Sequence, residues 1–215
     1  MTDDILIALV GGAVVLVVWY FQHDRQLRRR LASVAVTPIG DVRPGLVRIV
    51  GRVSAKGAPL VAPGTGATCV AYSTLVFTPD GDDRTVVTRF HECTPFWLED
   101  PSGRIQVQAG ENVRVILASD LLRVGAAEGV LEAMIAAENI EMTSFLGGPR
   151  DFRFEEAVVS DGQEVCVLGY ASADIDPTRP PEGPRRLPIG PVLRDGGRDR
   201  PLVIGGEDAT STRRR

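Results

Sequence analysis

The sequence predicts a mainly β domain, a small barrel or OB-like sheet domain with one amphipathic helix, carried behind one N-terminal transmembrane helix. Three observations predict it. Seventeen consecutive apolar residues, Ile5 to Phe21, run into a cluster of arginines. Several later segments alternate β-branched and polar residues between Gly- and Pro-rich turns, and a single stretch, Ala127 to Ile140, switches to a helical period.

The apolar run comes first. At a rise of ~1.5 Å per helical residue it is about 25 Å long, at the short end of what spans a hydrocarbon core. Ile5, Leu9 and Val15 belong to its apolar body, and Trp19, Tyr20 and Phe21 close it, where amphipathic rings settle at the headgroup level. A signal peptide would carry a positive leader and a small-residue cleavage site. Met1 to Asp4 instead hold two acids, and the run ends on bulky aromatics, so the run is expected to remain as an anchor. Arg25, Arg28, Arg29 and Arg30 follow it, and positive charge stays on the cytoplasmic side. The expected topology is single-pass, with the N-terminus out and the main domain cytoplasmic. Gly11 and Gly12 allow close helix approach but lack G-x-x-x-G spacing.

Four segments are expected. They are the anchor and basic flank over 1–30, a connector over 31–44, a β domain over 45–176, and a Pro/Gly/Arg-rich linker and tail over 177–215. Charge divides along the same lines. Gly40 to Asp176 hold 11 Lys/Arg against 20 Asp/Glu, net −9, whereas Pro177 to Arg215 hold 9 against 5, net +4. A body of that sign lacks the electrostatic footprint of a nucleic-acid binder. The three cysteines, Cys69, Cys93 and Cys166, show no C-x-x-C spacing and fit a reducing compartment. No cofactor and no metal site is expected, because His91-Glu92-Cys93 has no second pair of ligands nearby in sequence.

Along the body, GLVRIVGRVSA (Gly45 to Ala55) alternates like a half-buried strand, with Gly51 marking a bulge or a close backbone approach at a barrel corner. A loop at Pro63 to Gly66 precedes a strand from Thr68 to Phe77. The acidic loop Pro79 to Asp83 joins that strand to another, Thr85 to Cys93, as a hairpin. Within Pro95 to Gln108 the turn Asp100-Pro101-Ser102-Gly103 has Pro and Gly where a type I turn prefers them. Val113 to Leu117 continues the β signal. Ala127, Val130, Leu131, Met134 and Ala137 then fall on one helical face. Strands return at Phe152 to Val159 and Glu164 to Tyr170 around the turn Ser160-Asp161-Gly162. The second, GQEVCVLGYA, mirrors the first strand of the body and also carries an internal glycine, Gly169. Seven prolines and four glycines between Pro177 and Pro201 predict a linker, with an edge strand near Pro201 to Gly205.

Four stretches together resemble the GIDE family, the beside-a-membrane (BAM) domain of membrane-anchored ubiquitin ligases, which also occurs alone in bacterial membrane proteins. They are VRIVGRV, PLVAPGTGATCVAYSTLVF, PFWLEDPSGRIQVQ and FEEAVVSDGQEVCVLGYA, spread over about Pro44 to Ala171. The motif positions matched are Gly51, Pro63, Gly66, Cys69, Phe96, Asp100, Gly103, Glu155, Gly162 and Gly169. The resemblance implies a β-rich domain at a membrane. It does not carry ligase activity, because a RING finger needs eight Cys/His ligands and the 215 residues hold three cysteines and two histidines.

The function expected is therefore a non-catalytic, membrane-tethered interaction or scaffold module, with the lipid bilayer and a protein as partners and no nucleic acid. The loop tips Pro63 to Gly66, Pro79 to Asp83 and Pro101 to Gly103 are contact points, or else plain turn chemistry. The alternative is a hydrolase-like enzyme using Cys69 or Cys93 as nucleophile and His91 as base. In a strand, His91 and Cys93 share a face that Glu92 leaves, so an orienting acid would have to come from elsewhere.

Overall fold

The structure, a computed structural model, describes residues 25–80, 83–108, 110, 112–116, 122–140, 150–175 and 189–206. The predicted anchor, Ile5 to Phe21, lies outside the described residues. Among those described, no helix is long and apolar enough to cross a membrane.

The molecule is mainly β, as expected, and contains a closed five-stranded barrel. Its strands are β1 (Gly45–Ala55), β6 (Phe96–Asp100), β7 (Gly103–Val107), β11 (Glu164–Ile175) and β12 (Ile189–Arg194). β1 pairs with β6 from Arg52 onward, β6 turns into β7, β7 lies parallel to β12, β12 pairs with β11, and β11 returns to β1. The N-terminal half of β11 also pairs with β13 (Leu202–Gly205), which in turn lies parallel to β8 (Val113–Val115). Val47, Ile49 and Val53 from β1 meet Leu98, Ile105, Val167, Leu193 and Ile204 in one buried cluster.

Closing so small a barrel forces backbones together, and glycine supplies the room. The two look-alike segments turn out to be neighbours: β1 and β11 pair antiparallel from Gly45↔Ala171 to Arg52↔Glu164. A Cβ on Gly51 would stand 2.6 Å from the Glu99 carbonyl oxygen, and one on Gly169 would stand 2.6 Å from Leu202 Cδ1 and 2.9 Å from the Arg194 carbonyl. The close approach expected at Gly51 is present.

A second sheet runs β5-β4-β10-β9, made of β4 (Ala71–Asp80), β5 (Asp83–Cys93), β9 (Leu122–Ala126) and β10 (Arg153–Val159). The β4–β5 hairpin pairs as far as Asp80↔Asp83, tighter than the five-residue loop expected. Alternation along β10 sends Ala157 and Val159 into the barrel cluster, whereas Phe154 packs under helix α2 (Val130–Ala137) with Val76, Leu131 and Ile135. A short ribbon, β2 (Leu60–Val61) with β3 (Thr68–Cys69), completes the strands.

Three expectations are corrected. The helix expected over Ala127 to Ile140 is shorter, because the Ala127 N–H bonds to the Phe152 carbonyl (2.9 Å) and Asn139 takes a left-handed φ of 57°. Its buried face is Leu131 and Ile135, and Val130 is 67% exposed. The connector over 31–44 is part of the fold. Residues 25–33 form helix α1, whose Leu27 and Leu31 are 3% and 0% exposed in the barrel cluster, and Ile39, in a turn of 3-10 helix (Ile39–Asp41), is buried there too. Most important, the 177–215 segment is not only a linker. Its β12 is a barrel strand and its β13 a buried strand between β11 and β8, because Val192, Leu193, Leu202, Val203 and Ile204 outweigh the flanking prolines, and β12 joins β7 only from Val192, past Pro191. β9 was not expected at all.

Candidate functional site

Two built regions stand out, and the first is a groove beside α1. Asp195 to Pro201 form the turn between β12 and β13. Gly196 donates to the Arg200 carbonyl (2.7 Å), Arg200 to the Gly197 carbonyl (3.0 Å), and Gly197 to the Asp195 carboxylate (2.9 Å). Asn112, before β8, ties the turn down by donating its side-chain amide to the Gly197 and Arg198 carbonyls at 2.8 and 2.9 Å. Arg200 lies over the Tyr170 ring, 5.4 Å from its centre. From the other side Arg30 of α1 donates to the Asp199 carbonyl (3.4 Å).

Between α1 and this turn lie two adjoining cavities. One, about 330 Å³, is floored by Leu46, Leu168, Tyr170 and Val203. The other, about 290 Å³, is walled by Arg30, Asn112, Arg114 and Arg198. Arg30, Asp199 and Pro201 line both. Behind Arg114 stands His91 on β5, its Nε2 3.5 Å from the guanidinium. Burial, then Arg114 and Arg89, hold the His91 pKa below its ordinary value, and burial followed by Arg114 brings Arg89 down to about 10.

The second region surrounds Glu156, which is 0% exposed. Its Oε1 accepts the Gly64 N–H (2.8 Å) and the Thr74 hydroxyl (2.6 Å), and its Oε2 accepts the N–H (2.9 Å) and hydroxyl (2.6 Å) of Thr65. The Pro63 to Gly66 loop is thus pinned from below, which supports its plain structural reading. Gly64 and Gly125 flank the Phe154 ring so closely that a Cβ on either would stand 2.6 to 2.9 Å from ring carbons.

The motif positions scatter through the framework. Gly51 and Gly169 serve the barrel crossings described above, and Phe96 is buried in its core. Asp100 accepts the Ile39 N–H (2.8 Å), the Ser102 N–H (2.7 Å) and hydroxyl (2.5 Å), and the Gly103 N–H (3.0 Å), bracing its own turn against the 3-10 segment. Pro63 is buried, and Gly66 (φ 68°) and Gly162 (φ 76°) take left-handed turn positions. Glu155 pairs with Arg84. Arg28 and Arg29 flank buried Leu27 and Leu31 on α1, where Arg25 also lies. The structure therefore brings together Arg30 with groups never singled out from sequence, namely Arg114, Arg198 and Arg200.

The candidate nucleophiles are poorly placed for catalysis. Burial, then the Glu156 and Glu92 carboxylates, push the Cys69 thiol up to about 11, and burial, then Cys69 and Glu92, push Cys93 to about 12. Both stay protonated near neutral pH, and the thiolate is the nucleophile. Glu92 engages the Tyr72 hydroxyl (3.3 Å), and His91 faces Arg114. Among the described residues no group of three or more His, Cys, Asp and Glu side chains is placed to hold a metal.

Comparison with known proteins adds no assignment: no protein-family model matches the chain, and no curated protein and no solved structure matches it.

Proposed function

We propose that the chain is a membrane-tethered interaction or scaffold module of the GIDE kind, single-pass with its N-terminus out, whose barrel is held on the cytoplasmic face. One observation carries this reading. Helix α1 is buried in the barrel through Leu27 and Leu31, and in sequence Leu27 stands only six positions after Phe21, which closes the apolar run. If that run enters a bilayer, no long linker separates the barrel from the headgroups. A domain confined to that layer meets any partner in the same membrane at raised effective concentration.

The barrel itself is read as OB-like. In chain order its strands close as one, two, three, five, four, with the third and fifth (β7 and β12) parallel. OB barrels take oligonucleotides or other ligands on their sheet face, and the net charge of −9 over Gly40 to Asp176 favours a protein partner over nucleic acid.

The test is photocrosslinking in the native membrane, comparing the full chain with one that starts at Arg25. Starting after Arg30 instead would delete Leu27 and damage the barrel. A discrete protein captured only by the full chain supports the module. Capture of nothing specific by either overturns it and makes hydrolytic activity of the body the reading to pursue.

A further inference from the structure

The groove beside α1 concentrates positive charge in an acidic protein. Arg30, Arg114, Arg198 and Arg200 line its two cavities against one carboxylate, Asp199. Its parts are held in place: Asn112 fixes the turn that carries Arg198, and Tyr170 lies under Arg200. Cations gathered this way repel one another unless an anion stands among them. The larger cavity, of about 330 Å³, adds an apolar floor of Leu46, Leu168 and Val203 directly beside the guanidinium groups. A cationic wall next to an apolar floor suits an amphiphile with an anionic head. Arg30 stands only nine positions after Phe21, so even a fully extended chain keeps the groove within ~30 Å of the end of the apolar run.

We propose that this groove binds the phosphate of an anionic phospholipid headgroup, held by Arg30, Arg114 and Arg198, with the glyceryl part over Leu168 and Val203. The proposal rests on the membrane reading above. Arginine is suited to the task because its planar fork meets phosphate oxygens in pairs. The bound lipid would fix the barrel's orientation against the bilayer, so that a chosen face meets the partner.

His91 reports on the groove through Arg114 without lining it. With His23→Ala in the full chain, His91 is the one remaining imidazole of the natural sequence. The protein is reconstituted in nanodiscs of phosphatidylcholine, alone or mixed equally with phosphatidylglycerol, and the His91 ring is titrated by NMR. A phosphate beside Arg114 offsets the field that disfavours the imidazolium, so the His91 pKa rises by about one unit in the phosphatidylglycerol discs. Arg30→Gln with Arg198→Gln abolishes the rise. Arg123→Gln, on the exposed strand β9, keeps it and so separates a specific site from general surface potential. Entry into discs without the rise overturns the lipid site alone. A rise produced by inorganic phosphate in phosphatidylcholine discs, and not by phosphatidylglycerol, assigns the groove to a soluble phosphate and overturns the lipid source. A chain that enters neither kind of disc overturns the membrane reading and the lipid assignment with it.

Discussion

Glu156 and Thr65 are joined twice through one oxygen, the carboxylate Oε2 accepting both the N–H and the hydroxyl of Thr65 at 2.9 and 2.6 Å. With Gly64 and Thr74 on the other oxygen, a fully buried carboxylate replaces its lost water with four donors. Glu156→Ala removes the acceptor and leaves those donors unsatisfied, for an expected loss of about 3 kcal/mol, while Glu156→Gln keeps part of the network and loses less. Urea unfolding of the two variants checks the order. Equal stability of Glu156→Ala and the parent would contradict this account of the loop.

Phe154 is gripped between two glycines. A Cβ at Gly64 meets ring carbons at 2.6 to 2.9 Å, so Gly64→Ala should cost about 1–3 kcal/mol as an overpacking change. Combining it with Phe154→Leu should recover part of that loss. A double variant whose destabilisation is the plain sum of the two singles would show that ring and loop are not coupled.

Helix α1 belongs to the barrel. Leu31→Ala is expected to cost about 2–5 kcal/mol, as for other fully buried leucines, whereas Arg29→Ala, on the exposed side of the same helix, should stay within about 0.5 kcal/mol. Similar small effects from both would mean that α1 is not docked.

The buried thiols predict an alkaline limit. Cys69 and Cys93 ionise at an ordinary 9.0 when unfolded but at about 11 and about 12 when folded, with burial the chief cause in each. A thiol whose folded pKa is raised contributes stability in full below pH 9, and loses it as pH rises through the folded value. Stability should therefore fall from pH 9 upward, and Cys93→Ala should flatten that fall. Iodoacetamide at pH 8 should label both thiols slowly until denaturant is added.

Asp100 acts at the opposite end of the scale. Burial pushes its carboxyl up, but the hydrogen bonds from Ser102, Ile39 and Gly103 together outweigh burial and hold its pKa below the ordinary value. Its contribution is present above the unfolded carboxylate pKa and lost as pH falls through the folded one. Asp100→Asn should lower stability at pH 7 and leave it nearly unchanged at pH 2 relative to the parent, as read by thermal unfolding at the two pH values.

Period-two alternation made most strands legible, and β1 occupies Gly45–Ala55 as read from its residues. Where alternation met prolines it misled. A count of seven prolines between Pro177 and Pro201 hid the short apolar run VL, which belongs to barrel strand β12, and the run LVI, expected as an edge strand, is instead buried between β11 and β8. Short runs carry little periodicity, and only their long-range partners β7, β8 and β11 make them strands. Glu156 carried a usable signal, since Phe154, Glu156 and Val158 share one face of β10 and a charge between two apolar neighbours demands donors. Its neighbour Glu155, the position that matches the family motif, instead pairs with Arg84. The arginine groove had no local signal. Arg30, Arg114 and Arg198 are far apart in sequence and meet only once β8, β13 and α1 are assembled.

Alkaline carbonate extraction of native membranes asks whether the apolar run tethers this barrel to a bilayer. A tether predicts that the full chain stays with the membrane pellet, while a chain starting at Arg25 is released as a folded protein. Release of the full chain into the supernatant would contradict it.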